Sequence, residues 1–184
     1  MKLTPTDIEQ MKVDVPALWN AVLAFRADPQ VQQKFACPST HDSLRFACTE
    51  IAEAIDAELR QNALYSRNHE KALEVERELA DHVLMLITAH ADMDFLHNSL
   101  TYVLSYLAHG NELDLYGQYS RPYLLDGLYM RSAQILRDFH AGSVYAWKTG
   151  CLVQVIWICA CYPHFYAAVQ DRIGRLYDKH IAQG

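Results

Sequence analysis

The sequence predicts an all-α protein, a helical bundle folded as one domain over residues 1–184. Glycine and proline are scarce, at 7 and 6 residues of 184. We find no run of alternating Val, Ile and Thr of the kind that marks a strand. Apolar residues instead recur at three- and four-residue steps between capping residues, and a hydrophobic content of 51% suffices for a core.

The N-terminal part of the chain predicts helices punctuated by proline. Thr6-x-x-Glu9 fits a capping box, and Asp14-Val15-Pro16 restarts a helix that ends near Ala27. A short helix is then expected from Val31 to Ala36. It closes at Cys37-Pro38, because the residue before a proline disfavours helical dihedral angles.

The next helix is capped by Ser39 or Thr40 and carries an apolar stripe from Leu44 to Leu59. A polar loop follows at 62–69. The other helices are expected at about 70–91, 95–108 with Asp94 as its cap, 122–139, 144–162 and 164–180.

Composition and charge exclude several classes of protein. A net charge of −6 and a pI of about 5.8, without a Lys/Arg-rich run, argue against a nucleic-acid partner. The N-terminus lacks the apolar segment of a signal peptide, so we expect a cytoplasmic protein. Five cysteines without a CxxC pair indicate reduced thiols.

The most apolar run is a buried helix in this interpretation. It extends from Cys151 to Tyr162 and contains Gln154. A membrane span needs roughly 20 residues. We therefore expect no membrane partner.

Two pairs of carboxylates carry the chemistry. Glu50 and Glu53 lie three positions apart in one predicted helix, and Glu78 and Asp81 have the same spacing in the next. Residues three apart point to similar sides of a helix, so two such helices side by side would form a cage of four carboxylates. Oxygen ligands of this kind suit Mg²⁺, with Mn²⁺ as the alternative ion.

The simpler interpretation of these acids is a solvated helix face stabilised by basic neighbours. Glu50 and Glu53 have no Lys or Arg three or four positions away, and Asp56 adds a further negative charge. Asp81 has Arg77 four positions before it and stands at the edge of an apolar run. A carboxylate there needs a compensating cation, whether a metal ion or Arg77, or a shifted pKa.

The order Glu-x-x-Glu, then Glu-x-x-Asp before an apolar run, resembles the all-α nucleoside triphosphate pyrophosphohydrolases. This superfamily includes MazG-like proteins, dimeric dUTPases and dCTP pyrophosphatases, and the likeness covers about residues 40–92. The resemblance implies a MazG-like core, a homodimer or other homo-oligomer, and Mg²⁺ held by Glu50, Glu53, Glu78 and Asp81. It further implies hydrolysis of a nucleoside triphosphate to a monophosphate and pyrophosphate, with Glu50 or Glu53 as the general base.

The second half of the chain faintly repeats the first. Residues 131–136 align with 50–55 and residues 151–154 with 78–81, keeping the apolar positions and losing every acid. We therefore consider 120–181 a degenerate second copy. The Asn and Lys/Arg cluster that typically follows the second motif in the superfamily is missing, and the basic residues of this copy could replace it. These are Arg131, Arg137 and Lys148.

Base recognition is expected from aromatic and amide side chains on neighbouring helices, with Trp19, Asn20, Phe35 and His41 as candidates. The alternative function is a non-catalytic helical interaction protein, a degenerate member of the same fold or an unrelated bundle. Its interface would be the aromatic-rich second half of a chain with 11 tyrosines and 3 tryptophans.

Overall fold

The prediction of an all-α helical bundle is confirmed. A computed structural model describes residues 3–35, 38–61, 72–109, 124–162 and 164–181, and 91% of these residues are helical with no strand among them. The helices in chain order are α1 (Pro5–Ala27), α2 (Pro29–Lys34), α3 (Thr40–Gln61), α4 (Ala72–His90), α5 (Met93–His109), α6 (Leu124–His140), α7 (Val144–Cys161) and α8 (Phe165–His180).

Two predicted helix starts were wrong. The capping box of α1 is formed by Thr4 and Asp7, with Pro5 in the first turn, and the helix continues through Pro16 as one unit. The missing N–H of Pro16 costs a hydrogen bond, but Val15 before it and Leu18 after it are buried and hold this part of the helix in the core. At α5, Asp92 is the capping residue in place of Asp94, because its carboxylate accepts from the Phe95 N–H at 2.9 Å.

Other predicted boundaries agree to within a few residues. Ser39 caps α3, since its hydroxyl accepts from the Asp42 N–H at 3.1 Å. Gly142 has a φ of +72°, which glycine adopts without strain, and it separates α6 from α7. The predicted loop at 62–69, the end of α5 at 110–111 and the start of α6 at 120–122 lie outside the described residues.

Helices α3 and α4 form an antiparallel pair. The carbonyl oxygen of Ala47 contacts the His82 ring, while Glu50 lies beside Asp81 and Glu78. Moving forward along α3 therefore means moving backward along α4. Helices α6 and α7 are likewise antiparallel, α3 packs on α6, α4 packs on α7, and α1 crosses α4, α5, α7 and α8. This pairing suits an internal duplication, which stays a prediction.

Most of helix α7 is buried. By length and composition alone it could cross a membrane, but 61% of it is buried inside the fold. Gly150 allows α6 to approach closely, because a Cβ atom there would lie 2.6 Å from Cγ1 of Ile135. The apolar character of α7 is thus used in packing, as predicted.

One buried polar network ties four helices together. Nδ1 of His82 on α4 lies 2.7 Å from the carbonyl oxygen of Ala47 on α3, and Nε2 lies 2.7 Å from Oε1 of Gln154 on α7. Ser132 on α6 bonds Gln154 in turn. Burial lowers the pKa of His82 to about 4, so the ring is neutral and has one N–H. Rotation of the Gln154 amide by 180° would let its NH₂ donate to Nε2.

Candidate functional site

Three of the four predicted acids converge between α3 and α4. Carboxylate oxygens of Glu50, Glu78 and Asp81 lie within 4.8 Å of one another. The antiparallel pairing brings them together, because it places Glu50, the first acid of the first motif, beside Asp81, the last acid of the second motif. Glu53, one turn further along α3, is exposed and outside this group. We call Glu50, Glu78 and Asp81 the acidic cluster.

Two arginines neutralise two of these acids. Arg172, on α8, donates to both carboxylate oxygens of Asp81 at 2.7 Å each, a bidentate geometry that is among the strongest ion-pair arrangements. Arg77 donates to Glu78 at 2.7 Å, and that carboxylate raises the pKa of the guanidinium. Arg77 was one of the possible compensating groups for Asp81, but in the structure Arg77 pairs with Glu78 and Arg172 pairs with Asp81.

Glu50 is the acid left without a basic partner. Among the described residues its carboxylate has neither a hydrogen bond nor an ion pair, and it is half-buried. Burial, and then the negative charges of Asp81, Glu53 and Glu78, raise the pKa of Glu50 to about 7. The lack of a compensating base that was predicted for this motif therefore affects chiefly one carboxyl group, that of Glu50.

The acidic cluster opens into a groove of about 440 Å³ between α3, α4 and α8. Glu50, Asp81 and Arg172 lie at one end of it. One helical turn away from these three residues, the groove is lined by apolar side chains of α3, α4 and α8. Further from the acidic cluster it reaches α1 and α2. The lining residues on this side of the polar end are Phe25, Arg26, Lys34, Phe35, Pro38, Phe46, Leu84, Met85 and Leu176.

Most of the predicted substrate contacts lie elsewhere. Trp19 is fully buried and packs edge-on to the His90 ring, 5.3 Å between centroids. The neighbouring Asn20 is exposed. Neither residue lines the groove, whereas Phe35, another of the aromatic and amide candidates, does.

The basic residues expected from the second half also lie outside the groove. Arg131 stacks over the ring of Trp157, 5.5 Å from its centroid. Lys148 pairs with Asp92. His41 lies parallel to the Phe139 ring at 6.0 Å. The structure thus brings Glu50, Glu78 and Asp81 together without Trp19, Asn20, His41, Arg131 or Lys148.

Sequence reasoning missed the residues that do share the groove with the acids. Arg172 lies 91 positions after Asp81, and nothing local in the sequence links them. Phe46 had a detectable signal. It is an aromatic residue one helical turn before Glu50, it stands off the apolar stripe of α3, and 54% of its surface is exposed.

The donor set suits a divalent cation. Mg²⁺ holds its oxygen ligands at about 2.1 Å, which places them roughly 3 to 4 Å from one another. Oxygens already within 4.8 Å need only a small inward shift. Glu50, the acid without a cation of its own, is the ligand that such an ion would compensate most.

Comparison of the chain with protein-family models, with curated proteins and with solved structures gave no match. Fold and site define an all-α bundle that carries an acidic cluster at one end of an aromatic-lined groove. The inference of function therefore rests on these residues.

Proposed function

We propose that this protein is a Mg²⁺-dependent nucleoside triphosphate pyrophosphohydrolase. The observation that supports it is the convergence of Glu50, Glu78 and Asp81, from two motifs of matching spacing, at one end of a groove of ligand size. The resemblance of those motifs to the all-α pyrophosphohydrolases supports the same activity.

In this proposal the acidic cluster holds the cation, which when bound would offset negative charge on the substrate's phosphates. Water attacks phosphorus, the anhydride bond between the α- and β-phosphates breaks, and pyrophosphate leaves with the bonding electrons. Glu50, the acid of the cluster without an ion pair, takes the proton of the attacking water.

The proposal assigns different weight to the two acids of the first motif. Glu50 faces the cluster, and Glu53 is exposed one turn away. The Glu53→Gln variant is therefore a matched control for Glu50→Gln, because both remove one charge from the same helix.

The test is pyrophosphate release from a panel of ribo- and deoxynucleoside triphosphates with Mg²⁺. We expect release from at least one of them, a loss of about a hundredfold or more in Glu50→Gln, and a much smaller loss in Glu53→Gln. No release from any triphosphate, or release undiminished in Glu50→Gln, would overturn the proposal.

A second candidate is a helical interaction protein without catalysis. Large apolar side chains are exposed on α6 and α7, with Met130 at 59% and Tyr145 at 58%. Such residues can form the centre of an interface. A panel without turnover, together with a stable homo-oligomer disrupted by Met130→Ser, would favour this function.

A further inference from the structure

The groove beyond the acidic cluster has a wall composition that the metal site does not require. Its aromatic side chains come from three helices, Phe25 on α1, Phe46 on α3, and Phe35 directly after α2. Phe46 is exposed over 54% of its surface, which is unusual for an aromatic residue inside a concave site. Its ring is therefore available to a ligand.

The charges along the same groove favour an anion. Two carboxylates, Glu50 and Asp81, line it, against three cations, Arg26, Lys34 and Arg172. Asp81 and Arg172 neutralise each other, which leaves the two cations Arg26 and Lys34 against the single carboxyl group of Glu50. The balance along the groove is positive.

Arg172 retains donors for a ligand. It uses Nε and one N–H of Nη2 on Asp81, and a guanidinium has five N–H groups in total. The remaining N–H groups form a fork suited to a phosphate oxygen. Arg172 can thus bind an anion without leaving Asp81.

The spacing of the two features fits one molecule. Phe46 precedes Glu50 by one helical turn on α3, and Leu176 follows Arg172 by one turn on α8. Four residues of helix rise about 6 Å along the helix axis. Phe46 and Arg172 line the same groove of about 440 Å³, a volume in the range of small-molecule sites, so a single ligand can contact both.

We propose that the groove binds a nucleoside 5′-phosphate, with its base stacked on Phe46 and its phosphate bound by Arg172. This inference rests on the proposed function and assigns its substrate contacts to α3 and α8, and Arg131 and Lys148 are not among them. It predicts that the monophosphate product binds even without a metal ion.

The experiment is calorimetric titration of the full chain in EDTA with AMP, GMP, CMP and UMP. We expect at least one of them to bind, and the matching nucleoside and ribose 5-phosphate, which each lack one half of the ligand, to bind at least about tenfold more weakly. Phe46→Ala should weaken binding by about five- to a hundredfold, the range for loss of one base–aromatic stack. Tyr129→Ala, which removes an aromatic residue that is 50% exposed and outside the groove, is the control.

Arg172→Gln should also weaken binding, while Arg175→Gln should not. Arg175 is an exposed residue of the same helix and pairs with Asp171. Because Arg172→Gln also removes the partner of Asp81, circular dichroism must show that the variant is folded, and Phe46→Ala tests the groove independently of that ion pair.

The outcomes separate this inference from the proposed function. Monophosphate binding that depends on Phe46, without pyrophosphate release from any triphosphate, would support the groove and overturn the enzyme. Release that depends on Glu50, with binding equal in Phe46→Ala and Tyr129→Ala, would overturn the groove and leave the enzyme standing. Absence of binding by all four monophosphates at millimolar concentration would overturn the inference.

Discussion

Glu50 shows how a sequence pattern becomes a property of one residue. The absence of a basic residue three or four positions away on its own helix was visible in the sequence, and among the described residues its carboxylate has no hydrogen bond or ion pair. The charge of Arg172 on α8 only partly offsets its raised pKa. Its neighbours Glu78 and Asp81 do have arginines. The result is a single carboxyl group whose pKa is raised to about 7, chiefly by burial.

This shift predicts a measurable pH dependence of stability. The folded protein holds the Glu50 proton up to about pH 7, whereas the unfolded chain releases it near the ordinary value of 4.5. Between these values the folded state binds more protons, so the contribution of Glu50 to the free energy of unfolding falls as pH rises. Urea denaturation of wild type and Glu50→Gln should therefore show Glu50→Gln gaining relative stability from pH 4.5 to 7.

The comparison of the two proteins isolates this carboxyl group, because His82 and His90 titrate in both. Burial lowers the pKa of each histidine to about 4, which acts in the opposite direction below pH 6.5. The same substitution at exposed Glu9 should produce no such gain. A constant difference between wild type and Glu50→Gln across this range would contradict the raised pKa.

At the residue scale, the sequence predicted which acids lie together better than it predicted which other residues lie near them. Glu50, Glu78 and Asp81 were identified because two spacings on two helices restrict where side chains can point. Glu53 was expected with them, but it lies one turn further along α3 and its side chain is exposed. Trp19 was expected near the substrate, and its size instead places it in the core.

At the element scale, the pair α3 and α4 depends on the network of His82 and Gln154. His82 follows Asp81 directly, and Ala47 follows Phe46 directly, so the bond between His82 and the Ala47 carbonyl fixes the register of the two helices. Gln154 then ties this pair to α7. The network lies on the core side of the residues that we assign to the site.

A double-mutant cycle should detect this network. Gln154→Leu leaves a buried His82 nitrogen without a partner, and His82→Leu leaves the Gln154 amide with Ser132 as its remaining partner, each at a cost of about 1–3 kcal/mol. The double variant replaces both partners by apolar groups, so we expect it to cost less than the sum of the single variants. Urea denaturation measures all three, and strictly additive costs would show that the two side chains are not coupled.

The boundaries of elements followed local chemistry where that chemistry was unambiguous. Ser39 capped α3, and Gly142 ended the turn before α7, as predicted. At α1 and α5 two capping residues stood close together in the sequence. Spacing alone does not reveal which of the two caps the helix.

At the scale of the whole molecule, the fold class was predictable because periodicity and capping recur along the entire chain. The composition of the groove was not, because it requires α1, α2 and α8 to be placed against α3 and α4. Those placements depend on long-range packing, as with Arg172 and Asp81, 91 residues apart. Local sequence patterns do not reveal such pairs.

The contact between α8 and α4 predicts a coupling between ligand binding and the order of the last helix described. Arg172 and Leu176 both face the groove, and a ligand there would contact both α8 and α4. In hydrogen–deuterium exchange we expect amides of α8 to exchange more slowly with a saturating monophosphate, and amides of α5, which does not line the groove, to be unchanged. Equal exchange in α8 with and without ligand would contradict this coupling.

The pairing of Asp81 with Arg172 has a consequence for the kinetics of folding. Helices α3 and α4 are near neighbours in the chain, so their association closes a short loop and should precede contacts that span most of the sequence. An early α3–α4 pair would carry Glu50 and Asp81 before α8 is in place. Their negative charges would then attract the guanidinium of Arg172. The charges proposed to hold a cation in the native protein would thus first guide the last helix described into position.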